Sequence, residues 1–122
     1  MANDFKRFTK PNVGTSTGAS ADAVYTVPAG AGSSALESIV NGITLANKHT
    51  SGITASVFLD NEDGSNYVYI VKTATIPAGS SLEVMSGNKL VVQHNGTAGD
   101  VLRVESSRAS SLDATITVLE DV

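Results

Sequence analysis

Strand-period alternation of β-branched residues, cut at short intervals by proline and glycine, most narrows what this chain can become. Residues 113–120, DATITVLE, place Ala114, Ile116 and Val118 on one face and Thr115, Thr117 and Leu119 on the other. A period of two built from Ile, Val and Thr is the pattern of a half-buried strand. Residues 53–60, ITASVFLD, repeat it, with Ile53, Ala55, Val57 and Leu59 together. In residues 66–72, NYVYIVK, Tyr67, Tyr69 and Val71 oppose Val68 and Ile70. Between these two runs Asp63-Gly64 predicts a tight hairpin, since Gly accepts positive φ without steric cost.

Residues 35–48, ALESIVNGITLANK, fit helical spacing through Leu36, Ile39, Val40 and Ile43. Gly42 interrupts that pattern, and the Val, Ile and Thr content favours a strand in which Ile39, Asn41, Ile43 and Leu45 alternate. Gly42 then marks a bulge. AVYTV, SLEVM, KLVVQ and VLRVES complete a set of about eight strands separated by turn signals. That spacing predicts an all-β fold, an antiparallel β-sandwich with jelly-roll-like organisation.

The corners share a vocabulary. Thr26-Val27-Pro28-Ala29-Gly30 is echoed by Thr75-Ile76-Pro77-Ala78-Gly79, and each copy is followed by a Gly-Ser-Ser word leading to Leu-Glu. A β-branched residue ends the strand, and Pro, lacking an N–H, stops the ladder. Gly then supplies backbone freedom for the turn. Gly99-Asp100 opens a further strand in a looser version of the same phrase. Two origins fit: reuse of good turn chemistry, or a pseudo-symmetric double Greek key, which is the plan of a jelly roll.

The first 22 residues read differently. Residues 12–22, NVGTSTGASAD, hold too little apolar surface to offset the entropy of ordering. Residues 1–22 are therefore expected as an arm, flexible or docked on a partner, preceding a sandwich domain over residues 23–122. Phe5, Lys6, Arg7 and Phe8 would form its docking tip. Basic residues here are not followed by an apolar run, so the segment does not resemble a signal peptide.

Charge and composition exclude several functions. Eight basic against twelve acidic side chains leave a net charge of −4 with no long basic cluster. Nucleic-acid binding, which needs clustered positive charge, is not expected. No apolar run approaches the roughly 20 residues of a membrane-spanning helix. There is no Cys, and hence no disulfide, thiolate nucleophile or Cys-based zinc site. That absence fits assembly inside a cell.

Chemistry-bearing patterns are sparse. His49 and His94 are the two histidines, and both sit in turn-rich stretches without a nucleophile motif. The turn vocabulary resembles that of cupins, but there is no H-x-H pair to build their metal site. Asp60, Glu62 and Asp63 suggest a calcium loop, yet counting back from Gly64 puts Leu59 at the first ligand position, so the hairpin is the better reading. Phosphate-binding glycine motifs do not occur. The chain has no Trp to make a sugar platform, although Tyr25, Tyr67 and Tyr69 would suffice for a smaller stacking surface. Asn95-Gly96-Thr97 is a formal glycosylation sequon. No catalytic, cofactor or metal residues are expected.

From about residue 23 to 120 the chain resembles small virion proteins of tailed bacteriophages, especially marine and cyanobacterial phages. The likeness is carried in order by AVYTVPAG, ITLAN, NYVYIVKTATIPAGSSLEV, KLVVQ, AGDVLRVESS and ATITVLE. It implies a small β-sandwich, trimeric in the particle, serving as a capsid decoration, head-fibre or tail component among other virion proteins, and made in the host bacterial cytoplasm. It brings no catalytic residues. Residues 67–70, apolar on both faces, also suit contact with a neighbouring copy. The alternative is a carbohydrate-binding sandwich used in host recognition. An enzyme would instead need a pocket holding His49 or His94 beside a carboxylate.

Overall fold

The computed structural model describes residues 3–61, 67–85 and 89–121. Among them nine strands form two antiparallel sheets: β1 (Asn3–Lys10), β2 (Asp22–Thr26), β3 (Leu36–Asn47), β4 (Ile53–Asp60), β5 (Tyr67–Ile76), β6 (Ser81–Glu83), β7 (Leu90–His94), β8 (Val101–Ser106) and β9 (Leu112–Asp121). The first sheet runs β1-β9-β3-β6, with β7 pairing β3 beside β6; the second runs β2-β8-β4-β5. Two three-residue 3₁₀ turns, Gly18–Ser20 and Ala31–Ser33, are the helical pieces among the described residues.

The core lies where period-two patterning predicts. Ala114, Ile116 and Val118 of β9 are buried, as are Ile53, Ala55, Val57 and Leu59 of β4. Together with Val40, Ile43, Leu45, Val92, Leu102 and Val104 they form one cluster drawn from both sheets. Gly42 does mark a bulge, as the register of β3 against β9 slips between Val40 and Gly42. The slip changes the alternation. Ile43 and Leu45 face the core, whereas Ile39 is only half-buried, so Ile39 does not share their face as simple alternation implied. One extra residue in a strand turns every later side chain over.

Residues 3–10 of the segment expected as an arm form an edge strand of the first sheet. β1 pairs antiparallel with β9 from Asn3↔Asp121 to Lys10↔Ala114. Beyond it, the Val13 N–H donates to the Leu112 carbonyl at 2.8 Å, and the Val13 side chain is fully buried. Only one side of β1 meets the core, through Phe8, so its sequence lacks a wholly apolar face. An edge strand needs just one paired side and tolerates such mixed patterning.

The two Pro-Ala-Gly corners both carry the chain from the second sheet to the first, but with different geometry. At Pro77 the Ser80 N–H closes onto the Pro77 carbonyl at 3.1 Å, and Gly79 has φ +68°. Positive φ at the third position is the demand of a type II turn. At Pro28 the loop is wider: the Gly30 N–H donates to the Ser34 carbonyl at 2.8 Å across the 3₁₀ turn. Gly30 has φ −72°. It must be Gly for space, since a Cβ there would lie 2.9 Å from the Ala35 carbonyl oxygen. One sequence phrase thus serves two backbone requirements. The hairpin residues Asp63 and Gly64 lie outside the described residues, although β4 and β5 pair as a hairpin requires.

Candidate functional site

The outward face of the first sheet carries a surface that no single strand reveals. Register pairs Phe5 with Leu119, Leu119 with Ile39, and Ile39 with Val91. Four apolar side chains therefore form one row across β1, β9, β3 and β7. At its ends Phe5 is 76% exposed and Val91 60%. Isolated exposed apolar residues are ordinary, but a contiguous row on a sheet face is not.

The neighbouring row is polar. Arg7 pairs with Thr117, and Thr117 with Gly42. A Cβ at Gly42 would lie 3.6 Å from Glu83 Oε1, so the Glu83 carboxylate occupies the space above this glycine. Glu83 is fixed there. Thr44 Oγ1–H donates to its Oε2 at 2.7 Å, and the Ile43 N–H to its Oε1 at 3.3 Å. The face thus has Arg7 on β1 and the Glu83 carboxylate over β3 on one side of the apolar stripe, with exposed Glu37 of β3 on the other.

Beneath that face, β1 is held by a buried polar network. Tyr25 Oη–H donates to Glu120 Oε2 at 2.6 Å. Ser38 Oγ lies 2.9 Å from the same phenol oxygen. Tyr25 has one hydrogen and gives it to Glu120, so Ser38 must be the donor. Lys6 Nζ reaches Glu120 Oε1 at 2.8 Å from the solvent side, and Glu120 itself is 1% exposed. The Phe8 ring packs on Tyr25 with centroids 4.7 Å apart. Burial pushes the Tyr25 phenol well above its ordinary value, and the hydrogen bond to the Glu120 carboxylate raises it further. Of the four expected arm residues, Lys6 and Phe8 point inward to this network while Phe5 and Arg7 belong to the outer face. The signal for Glu120 was present in the sequence: it continues the parity of Ala114, Ile116 and Val118.

Other expected positions have structural partners. Gly99 is required by close approach, since a Cβ there would run into the Val27 carbonyl. Beside it the Asp100 N–H donates to the Gln93 carbonyl, and Asp100 Oδ2 accepts from the Gln93 N–H. Asn47, overlooked in the sequence, is buried. Its Nδ2 donates to the carbonyls of Ser51, Ile76 and Pro77, joining the second Pro-Ala-Gly corner to the 48–52 turn. Asp60 is paired with Arg103 Nε at 3.1 Å, which commits the first carboxylate of the supposed calcium loop; Glu62 and Asp63 lie outside the described residues. Asn95 Oδ1 accepts from the Thr97 and Ala98 N–H groups in a turn.

Tyr25 is buried, so the three-tyrosine stacking surface does not form. Tyr67 and Tyr69 lie over Phe58, with centroids 5.3 and 5.0 Å away, and keep that ring out of water on the outer side of the second sheet. Lys72 Nζ sits 4.7 Å above the Tyr69 ring. Ile70 packs against the core, but Val68 of β5 is exposed and Tyr67 and Tyr69 keep part of their rings in water.

His94 Nδ1 accepts from the Gly96 N–H at 2.9 Å, and the His49 N–H donates to Asn47 Oδ1, so both histidines take part in turns. An open hollow of about 250 Å³ near Thr54, Ser56, Thr73 and Glu105 has hydroxyls and a carboxylate but no histidine. A second, of about 320 Å³, is lined by Ile70, Val84, Met85, Lys89 and Leu90. Among the described residues, no three His, Asp or Glu side chains gather in a way that would hold a metal ion. Among the described residues, no helix is long and apolar enough to cross a membrane. No family model, curated protein or solved structure matches the chain.

Proposed function

We propose that this chain is a non-enzymatic structural or accessory component of a bacteriophage virion, a capsid decoration, head-fibre or tail protein that works by assembling with copies of itself. The row Phe5–Leu119–Ile39–Val91 is the observation that carries this reading. Water excluded from such a row favours association, with roughly 1–2 kcal/mol for each largely exposed side chain that becomes covered. Association costs about 4–15 kcal/mol in lost freedom, so several such side chains must act together on each copy. A row across four paired strands meets that need, because the sheet holds its members in place before contact. The strand orders β1-β9-β3-β6/β7 and β2-β8-β4-β5 support reading the sandwich as a jelly roll. In that reading β6 and β7 together fill one strand position of the first sheet.

Light scattering on the full chain at micromolar concentration tests the assembly: an oligomer is expected, with three copies implied by the phage resemblance. A strict monomer refutes it. Mass spectrometry and immunogold labelling of purified particles test the location, and a chain absent from the particles refutes the virion reading. Carbohydrate binding keeps one specific support, the half-exposed pair Tyr67 and Tyr69. A glycan array whose signal disappears in Tyr67→Ala would favour it.

A further inference from the structure

We infer that the open hollow on the outer side of the second sheet binds one ring of a neutral saccharide. This goes beyond the assembly reading and does not depend on it; it gives carbohydrate binding a place separate from Tyr67 and Tyr69. Register builds the floor. Ser56 of β4 pairs with Glu105 of β8, and the Thr54 N–H donates to Ser107 Oγ beside them at 2.9 Å. Ile53, Ala55, Val57 and Leu59 face the core, so Thr54 and Ser56 face outward. Thr15 and Thr17, from the segment joining β1 to β2, complete the lining of a hollow of about 250 Å³. Clefts for drug-sized ligands measure roughly 300–1,000 Å³, so this one suits a single sugar ring.

A strained bulge and an unanswered hydroxyl set this hollow apart from an ordinary surface depression. Ala55 pairs with Ala74 and Val57 with Val71, which leaves both Lys72 and Thr73 opposite Ser56. Thr73 has φ +53°, a conformation that costs a β-branched residue about 1–2 kcal/mol. It brings the Thr73 N–H to Ser56 Oγ at 2.8 Å and Thr73 itself into the lining. Ser56 accepts that bond, but its own hydrogen has no acceptor among the described residues, although Ser56 is only 5% exposed. A buried donor without a partner costs free energy, which a ligand oxygen in the hollow would recover.

The polar groups match a neutral sugar rather than an ion. The hydroxyls of Thr15, Thr17, Thr54 and Thr73 make no hydrogen bond among the described residues. Each can both donate and accept, as sugar hydroxyls do. Glu105 Oε2 accepts from the Gly18 N–H at 3.1 Å, and Oε1 is left to accept from a ligand. No Lys or Arg lines the hollow, so the carboxylate repels phosphates, sulfates and acidic sugars. A protonated amine would pair with Glu105 but offers no acceptor to the Ser56 hydrogen.

Amide NMR titrations of the full chain with glucose, galactose, mannose and N-acetylglucosamine provide the test, with glucuronate and spermidine as anionic and cationic probes. At least one neutral sugar is expected to shift the Gly18, Ser56 and Thr73 amides, saturating at about 1–20 mM, and glucuronate is expected not to. Thr17→Val, at an exposed position, and Glu105→Gln, which keeps an acceptor for the Gly18 N–H, should each weaken binding about three- to tenfold. Both should leave the rest of the spectrum in place. Shifts caused by spermidine alone make the hollow an amine site and overturn the saccharide assignment. Sugar binding lost in Tyr67→Ala but unchanged in Thr17→Val and Glu105→Gln overturns the hollow while leaving carbohydrate recognition standing. No shift by any of these sugars at about 50 mM, well above the expected range, overturns the saccharide site. The assembly reading, tested by light scattering, stands or falls separately.

Discussion

Replacing Tyr25 by Phe keeps the ring on Phe8 and removes only the oxygen that joins Glu120 to Ser38. The phenol gives Glu120 a hydrogen bond of 2.6 Å and receives one from Ser38 at 2.9 Å. A hydrogen bond to a charged group contributes about 1.5–3 kcal/mol, and a neutral one about 0.5–1.5. Glu120 is 1% exposed, so water does not readily replace the lost donor, and Lys6 remains on its other oxygen. The expected loss is about 2–3 kcal/mol, or a melting point lower by roughly 8–12 °C for a chain of this size. The pH dependence gives an independent readout. The folded state holds the Tyr25 proton more tightly than the unfolded chain, where tyrosine titrates near 10. Its contribution is fully present below about pH 10. Above that the unfolded state loses its proton first, so stability falls, by up to about 1.4 kcal/mol per pH unit. Urea titrations of parent and Tyr25→Phe at fixed protein concentration, from pH 7 to 11, isolate the term as their difference. A loss below about 0.5 kcal/mol at pH 7, with parallel curves above pH 10, would refute the network as the anchor of β1.

Three other perturbations probe the corners and the end of β1. Asn47→Ala should cost about 2–4 kcal/mol in chemical denaturation, because the Ser51 and Ile76 carbonyls lose its amide donor and the Pro77 carbonyl keeps only the Ser80 N–H. Gly99→Ala should cost more than about 2 kcal/mol, since the Val27 backbone must move, whereas Gly79→Ala, with open space but positive φ, should cost about 1 kcal/mol in the same melts. Gly79→Asn should restore much of that loss, while Gly30→Asn should not. The Asn12 N–H, with help from Lys48, holds the Asp113 carboxyl below the usual carboxylate range. The folded state therefore binds this proton less tightly, and its contribution is present above about pH 4 and lost on acidification below it. Asp113→Asn should destabilise at pH 7 and match the parent near pH 2 in acid-unfolding curves.

Eight of the nine strands were legible because their signal is local. In residues 112–120 burial alternates at a period of two and the strand declares its own inner face, whereas in residues 53–60 the alternation lies in the sequence and both faces are covered. Residues 3–10 gave no such signal. Lys6 and Phe8 share their inner side, and Lys6 faces inward only because Glu120 is there to receive it. A strand recognisable only by its partner across the chain is invisible to a local pattern. The bulge shows the same limit from another side: Gly42 announced it, yet its effect on Ile39 depended on which residue was doubled against Thr117.

For eight of the strands the amino-acid order alone indicated where they lie, and for most of their side chains which face avoids water. It did so because proline ends a ladder and alternation follows from the pleat, both properties of a few adjacent residues. Only the tertiary structure decided which strands lie side by side and in what register. Phe5 and Leu119, or Tyr25 and Glu120, stand far apart in sequence and meet only once the sheets close. The exposed apolar row and the buried network are both products of register, set by the packing of the whole core.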